Sequence, residues 1–261
     1  MLTISARILK VFTNPRGEYG NGVGVVFDEN HQLDDKARQE IAKEIGFSES
    51  VFVNNLKAGD ISIFSPIREC PNAGHALIGT SWLFNKLSKA PVKHLLSSKG
   101  KIITWQEGDF TWIRMKTSVL PKWNYQEVAR PDAVEDIHLA DTSKLEHMVV
   151  WSWVNQERGI VRARTFATDW GIPEDQGNGS GSMRLATNLG RKLEIHHGDG
   201  SIIYAHPAIK GFSEVGGRVV EEESREIAKQ VTYLCSQSGD TITGQVFLMK
   251  KDQSTIERFH A

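Results

Sequence analysis

Two cysteines in 261 residues are too few for a disulfide framework. Cys70 and Cys235 stand far apart and match no Cys-x-x-Cys spacing, so they read as two buried free thiols of an intracellular protein. Long apolar runs are also missing. The N-terminal stretch MLTISARILKVFTNPRG has no segment long enough for a signal peptide, and nothing later approaches the length of a membrane span. A cytoplasmic protein that does not enter membranes is therefore expected. Nor is there an excess of one charge. The 31 basic and 32 acidic side chains nearly cancel, and no run of Lys or Arg is interleaved with aromatics. This removes the electrostatic footprint that nucleic acid or an anionic membrane would require, leaving a small molecule as the expected partner.

What is present is a chain 39% hydrophobic and 24% charged, enough for one large core or two of ordinary size. The first half is dominated by short strand-like runs, ARILKVFT, GVGVVFD, SVFVN and DISIFS, each bounded by Gly, Asn, Asp or Pro. Between the second and third, Leu33, Ala37, Ile41, Ala42 and Ile45 fall at helical spacing. Asp34 and Asp35 stand at the start of that pattern and Gly46 at its end. A second helix is expected in PNAGHALIGTSWLFNKLSKAP, ending before Pro91, followed by a hairpin in KIITWQEGDFTWIRMK with its turn at Gly-Asp.

Residues Leu120 to Lys144 are richer in Pro, Asp and Glu, which suggests a junction and a division into residues 1–117 and 118–261. The second half repeats the plan of the first: MVVWSWVNQERGIVRARTF as paired strands, a Gly-rich loop, a helix, and KLEIHHGDGSIIYAHP as another hairpin. Two similar α+β lobes with loops facing each other are the expectation. The closing segment TGQVFLMKK reads as a last strand, with a return to the first lobe as one option for it.

Two loops could carry chemistry. In ECPNAGHALIGT and in EDQGNGSGSM a turn of small residues precedes helical sequence, so unpaired N–H groups and the positive end of a helix dipole point out of the turn. Gly74 and Gly179 would let the backbone approach a ligand, and Ser180 or Ser182 could cap the helix or donate to a carboxylate. Ordinary capped helix starts would use the same residues, but the duplication argues for a pair of anion holders. GNGSGS is too short, and too tightly set between strand and helix, for a domain linker. Glu49 stands where a helix meets an apolar strand. A carboxylate short of water there would titrate in a range useful for proton transfer, whereas an exposed one would do nothing. His196, His197 and His206 do not make a metal site: adjacent residues on a strand face opposite ways, and no further ligand completes a spacing. The seven tryptophans fall mostly on expected strands and read as core.

Four ordered segments, KVFTNPRGEYGNGVGVVFDE, EIAKEIGFSESVFV, SIFSPIRECPNAGHALIGTSW and RTFATDWGIPEDQGNGSGS, resemble the signatures of the PhzF-like phenazine-biosynthesis family, which shares the diaminopimelate-epimerase fold. The resemblance implies two lobes, each a mostly antiparallel sheet curled around a central helix, with the active-site cleft between them, and a homodimer. It implies Glu49 as acid/base, with His75 and Asp175 orienting and polarising the substrate. Gly74, Gly179 and Ser180 would bind a carboxylate, and no metal or cofactor would be needed. The implied activity is an isomerase moving a proton between carbons of a small cyclic or amino-acid-like carboxylate. A dehydratase on a hydroxy amino acid, or a binding protein that kept the fold, are the alternatives. Ala76, Gln176 and Asn178 depart from the family pattern, in places expected to surround the substrate. Ala73 and Asn178 stand near where epimerases of this fold carry their two cysteines, so a two-thiol mechanism is not expected.

Overall fold

The computed structural model describes residues 2–138, 147–170 and 172–229. Strands β1 (Leu2–Thr13) and β2 (Asn21–Phe27) pair antiparallel, and helix α1 (Asp35–Ile45) carries the chain to β3 (Glu49–Asn55), parallel to β2. A parallel neighbour cannot be reached by a tight turn, so a crossover is obligatory. Helix α1 obeys both of its punctuation marks. The Asp34 carboxylate accepts from the Ala37 N–H, and Gly46, at φ 77°, closes the helix by donating to the Ala42 carbonyl.

The same plan follows twice more. Strand β4 (Asp60–Phe64) runs back beside β3, and helix α2 (Gly74–Leu87) crosses to β5 (His94–Ser97), parallel to β4. Strands β6 (Gly100–Glu107) and β7 (Phe110–Lys116) form the expected hairpin, with Gly108 at φ 57° in its turn. Beyond it lie β8 (Asn124–Glu127), the short helix α3 (Pro131–Glu135), β9 (Met148–Asn155), β10 (Ile160–Ala167) and β11 (Ile172–Asp175). Helix α4 (Gly179–Asn188) then crosses to β12 (Leu193–His197), parallel to β10, and β13 (Ser201–Pro207) completes the hairpin. Strands β14 (Phe212–Glu221) and β15 (Arg225–Lys229) both pair with β1.

The result is an α+β fold dominated by one sheet, in the order β15-β1-β2-β3-β4-β5-β6-β7-β14-β13-β12-β10-β9-β8, with β11 on β10. Because β14 pairs with both β7 and β1, the strands β1 to β7 and β14 close on themselves. Helix α2 packs against β1, β2, β3, β5, β6, β7 and β14 of that ring. From Ala76 to Phe84 its sequence is apolar or small on every side, as a helix surrounded by protein requires, and Ala76, Leu77, Ile78, Leu83 and Phe84 are buried. One apolar cluster joins these residues to Met183, Leu185 and Ala186 of α4.

Strand β14 carries no strand signal of its own. Gly216 and Gly217 interrupt its apolar pattern because larger residues fill their places: a Cβ at Gly216 would meet Trp112 at 2.3 Å, and one at Gly217 would meet Phe12 at 2.6 Å. The expected strand in TGQVFLMKK, Cys235, and the junction residues from 139 to 144 lie outside the described residues. Among the described residues no helix is long and apolar enough to cross a membrane.

Candidate active site

Both Gly-rich loops lead into crossover helices, and the two helices start against each other. A Cβ on Gly74 would stand 3.6 Å from the Gly179 Cα, and one on Gly179 would stand 3.6 Å from the Gly74 Cα. Two positive dipole ends brought this close repel, and an anion placed between them would relieve the repulsion. Phe12 supports the arrangement from below. Its ring lies 3.0 Å from where a Gly177 Cβ would be and 3.5 Å from that of Gly179. Its backbone, at φ 69°, occupies the left-handed region where β1 shifts register against β14.

The two helix starts open into a cleft of about 780 Å³. Glu49 begins β3 and His75 is the second residue of α2, so a parallel strand and a crossover helix deliver them to the same place. His75 Nε2 lies 3.2 Å from Glu49 Oε2, and the two side chains are only 7% and 15% exposed. That carboxylate oxygen is nonetheless buried without an aligned donor, and the Ser48 hydroxyl lies 3.5 Å from the same imidazole nitrogen. A buried carboxylate oxygen without an aligned hydrogen bond, with a cleft before it, is open to a donor brought in by whatever occupies the cleft.

The second loop is built differently. Asp175 Oδ1 accepts from Asn21 Nδ2 at 2.9 Å and from the Gly177 N–H at 3.0 Å, and Oδ2 accepts from Asn178 Nδ2 at 2.9 Å. Asp175 lines the cleft, yet both of its oxygens are engaged in tying this loop to β2. The cap of α4 is the Asn178 side chain, which accepts from the Gly181 N–H. Neither Ser180 nor Ser182, the expected candidates, supplies it. Ser182 instead donates to the Asn178 carbonyl at 2.7 Å, while Ser180 remains on the cleft.

Several sequence expectations are corrected here. Cys70 is only partly buried and lines the cleft, because the loop before α2 runs along its mouth. Trp123 and Trp170 are not on strands and also line the cleft. Trp123 Nε1 donates to Ser180 Oγ at 3.0 Å, and the Tyr125 hydroxyl donates to the Gly181 carbonyl at 3.0 Å, so the start of β8 anchors the start of α4. Burial pushes the Tyr125 phenol well above its ordinary range, keeping it a donor. The sequence signal for this was the aromatic pair in KWNYQ, standing in a polar junction. Ala76 and Gln176 do not touch the cleft. Ala76 points into the core, and the Gln176 side chain accepts from the Asp199 N–H at 2.8 Å, leaving Asn178 as the one family departure of the three on the cleft wall.

The histidines separate as the strand alternation requires. His196 pairs with Glu194 at 2.8 Å, whereas His197 is buried on the other face with its Nε2 2.8 Å from Thr165 Oγ1. Burial, assisted by the Arg162 cation and opposed by Asp175, lowers the His197 pKa to about 4. Among the described residues no three His, Cys, Asp or Glu side chains gather as a metal site.

Residues 9–109 match the family model PhzC-PhzF, described as phenazine biosynthesis-like protein. The trans-2,3-dihydro-3-hydroxyanthranilate isomerase of Pseudomonas aeruginosa is 30% identical over 217 residues, covering 69% of this chain and 77% of that one. Among solved structures, a PhzF-family phenazine biosynthesis protein from Enterococcus faecalis superimposes with a TM-score of 0.71 at 19% identity, covering 87% of this chain and all of the other. A hydroxyproline epimerase from Agrobacterium vitis gives 0.53 at 12% identity over 86% and 92% of the two chains, which relates the fold to that of epimerases. With identity of this extent to a curated isomerase, this chain belongs to the PhzC-PhzF family of phenazine biosynthesis-like proteins and is an isomerase.

Proposed function

We propose that the protein moves a proton between carbons of a small carboxylate-bearing substrate, cyclic or amino-acid-like, with Glu49 as the shuttle and no cofactor. The observation that carries this reading is the buried Oε2 of Glu49, 3.2 Å from His75 Nε2 but without an aligned hydrogen bond, facing a cleft where two helix N-termini meet. The substrate carboxylate would sit against the amides at Gly74 and Gly179 and the Ser180 hydroxyl, which hold its charge without a counter-cation. Glu49 would then take a proton from a carbon next to the unsaturated system, and the electron pair left behind would delocalise through that system. The protonated Glu49 would return the proton to another carbon, restoring the carboxylate. Atoms and charge balance, and positioning together with charge stabilisation supply the rate. His75 would hold the Glu49 carboxylate in line, and Asp175 would act from behind, by fixing the loop that presents Gly179 and Ser180. In this reading residues 1–117 form one lobe, which β14 and β15 return to complete, the rest of the second half forms the other, and the cleft is their seam.

The test is proton NMR in D2O on trans-2,3-dihydro-3-hydroxyanthranilic acid and a panel of cyclic and β-hydroxy amino acids, with wild type and Glu49→Gln. Deuterium uptake or isomerisation that vanishes in the variant supports the proposal. Turnover that survives the variant, or a product that has lost water, overturns it.

A further inference from the structure

One buried titratable group that the mechanism does not use lies beside the cleft loop. Strands β12 and β11 lie end to end along one edge of β10: β12 pairs with Ile160–Ala163 and β11 with Thr165 and Ala167, while β9 takes the other edge. Their last residues, His197 and Asp175, therefore meet at the gap where one strand gives way to the next, opposite Ala163 and Thr165. At such a gap the backbone ladder is interrupted, so other groups must satisfy what it leaves unpaired. Strand β11 needs them most, having four residues, a register shift in its pairing and, among the described residues, β10 as its one partner.

His197 supplies the first tie. Only 1% exposed, it sets its Nε2 2.8 Å from Oγ1 of Thr165, the wholly buried residue that opposes Asp175. Its other nitrogen is buried without an aligned partner, and the Gln176 backbone, the Asp175 and Glu174 carboxylates and the Arg162 cation bear on the ring. Burial keeps the imidazole neutral, so it does not draw the Asp175 carboxylate away from Asn21 and the Gly177 N–H. The turn that follows supplies the rest. Gly198, at φ 53°, donates its N–H to the Ala163 carbonyl at 3.2 Å and lies so close to the loop that a Cβ there would stand 3.0 Å from the Gln176 carbonyl oxygen. The Asp199 N–H donates to Gln176 Oε1 at 2.8 Å. On the far side of the turn, Ser201 Oγ accepts from the Gly20 N–H at 3.2 Å, and the Tyr19 ring covers Gly200. Gly20 precedes Asn21, whose amide bonds Asp175, so the turn grips both the cleft loop and the strand start to which that loop is tied.

We infer that His197 is a positioning residue: through Thr165, and with the turn Gly198–Ser201, it fixes the loop Asp175–Gly179 from outside the cleft and so aims the Gly179 amide and the Ser180 hydroxyl at the ligand. The inference rests on the proposed function for its view that these two groups bind a carboxylate. Neither Thr165 nor His197 borders the cleft, so a change at either reaches a ligand only through the loop.

The experiment follows isotope-labelled protein by amide NMR, alone and titrated with anthranilate. Thr165→Val keeps the shape of the side chain and removes its hydroxyl, His197→Leu removes both ring nitrogens, and His197→Gln restores a donor and an acceptor. In Thr165→Val and His197→Leu the Gly177 and Gly179 amide signals of the free protein should move more than that of Gly74. Anthranilate should bind these two variants about tenfold more weakly than wild type, the worth of one well-placed hydrogen bond. His197→Gln should bind it within about twofold of wild type. A merely structural role would lower the melting temperature and leave the loop signals and the affinity of the folded protein unchanged. That result in Thr165→Val, which carries the test alone if His197→Leu does not fold, overturns the inference, and so does a folded His197→Gln that behaves like His197→Leu. Failure of the wild type to bind anthranilate counts against the proposed carboxylate site alone. The loop signals of the free variants then still decide the positioning role, supporting it if they move and overturning it if they do not.

Discussion

Helices α2 and α4 start at the same point and are finished in opposite ways. Ala73, at the N-cap of α2, offers no side chain to its first turn, while Asn178 caps α4 and is itself held by Asp175. A capped end has one orphan amide satisfied internally, and an uncapped end keeps its donors for whatever enters the cleft. The α2 side also carries Glu49 and His75 with an unfilled carboxylate oxygen, whereas on the α4 side both oxygens of Asp175 are taken. The lesson is a contrast: the α2 side presents a carboxylate oxygen without an aligned hydrogen bond, and the α4 side presents a carboxylate whose oxygens are both hydrogen-bonded.

The largest expected effect lies on the α2 side. Glu49→Gln should reduce carbon proton exchange by about 10²–10⁴-fold, the usual worth of a positioned acid/base, with little change in melting temperature. An equal loss from Asp175→Asn at unchanged stability would erase the distinction between the sides. Next in size is a pH effect on the α4 side. His197 is neutral in the fold, with a pKa of about 4 against an ordinary 6.5. Between those values the unfolded chain binds the extra proton, so stability should rise with pH through that window and level off above it. The slope should be at most about 1.4 kcal/mol per pH unit, read from urea midpoints and flattened by His197→Gln. Asn178→Ala should follow, at about 0.5–2 kcal/mol of stability for the lost cap, measured by denaturation. The smallest and sharpest test is Ala73→Ser. A new cap should raise stability by up to about 1 kcal/mol and yet weaken carboxylate binding, because the serine oxygen would occupy amides meant for the substrate. If binding improves along with stability, the bare end of α2 is not a ligand site.

Much of this contrast was legible before any coordinates, and for identifiable reasons. Asp34 and Gly46 bound α1 because capping is local chemistry, and the two Gly-rich loops were visible because each announces a helix start. Strand β14 was hidden because the reason for Gly216 and Gly217 is the bulk of Trp112 and Phe12, roughly a hundred and two hundred residues away. The task of Asp175 was hidden likewise, since its partner Asn21 lies 154 positions earlier. The aromatic lining of the cleft was missed because Trp123 and Trp170 lie in connecting segments, where periodicity assigns no face. Local signals were readable, and contacts between distant residues were not.

The late pairing of β14 also sets a schedule. During synthesis the chain can lay down β1 to β7 and enclose much of α2, but β7 and β1 keep unpaired edges until residues Phe212–Glu221 have left the ribosome. For roughly a hundred residues of elongation, at about 5–20 residues per second, those edges invite pairing with other nascent chains. The helix starts that build the cleft come together only across this interval, so how long those edges stay open is set by a strand near the end of the described chain.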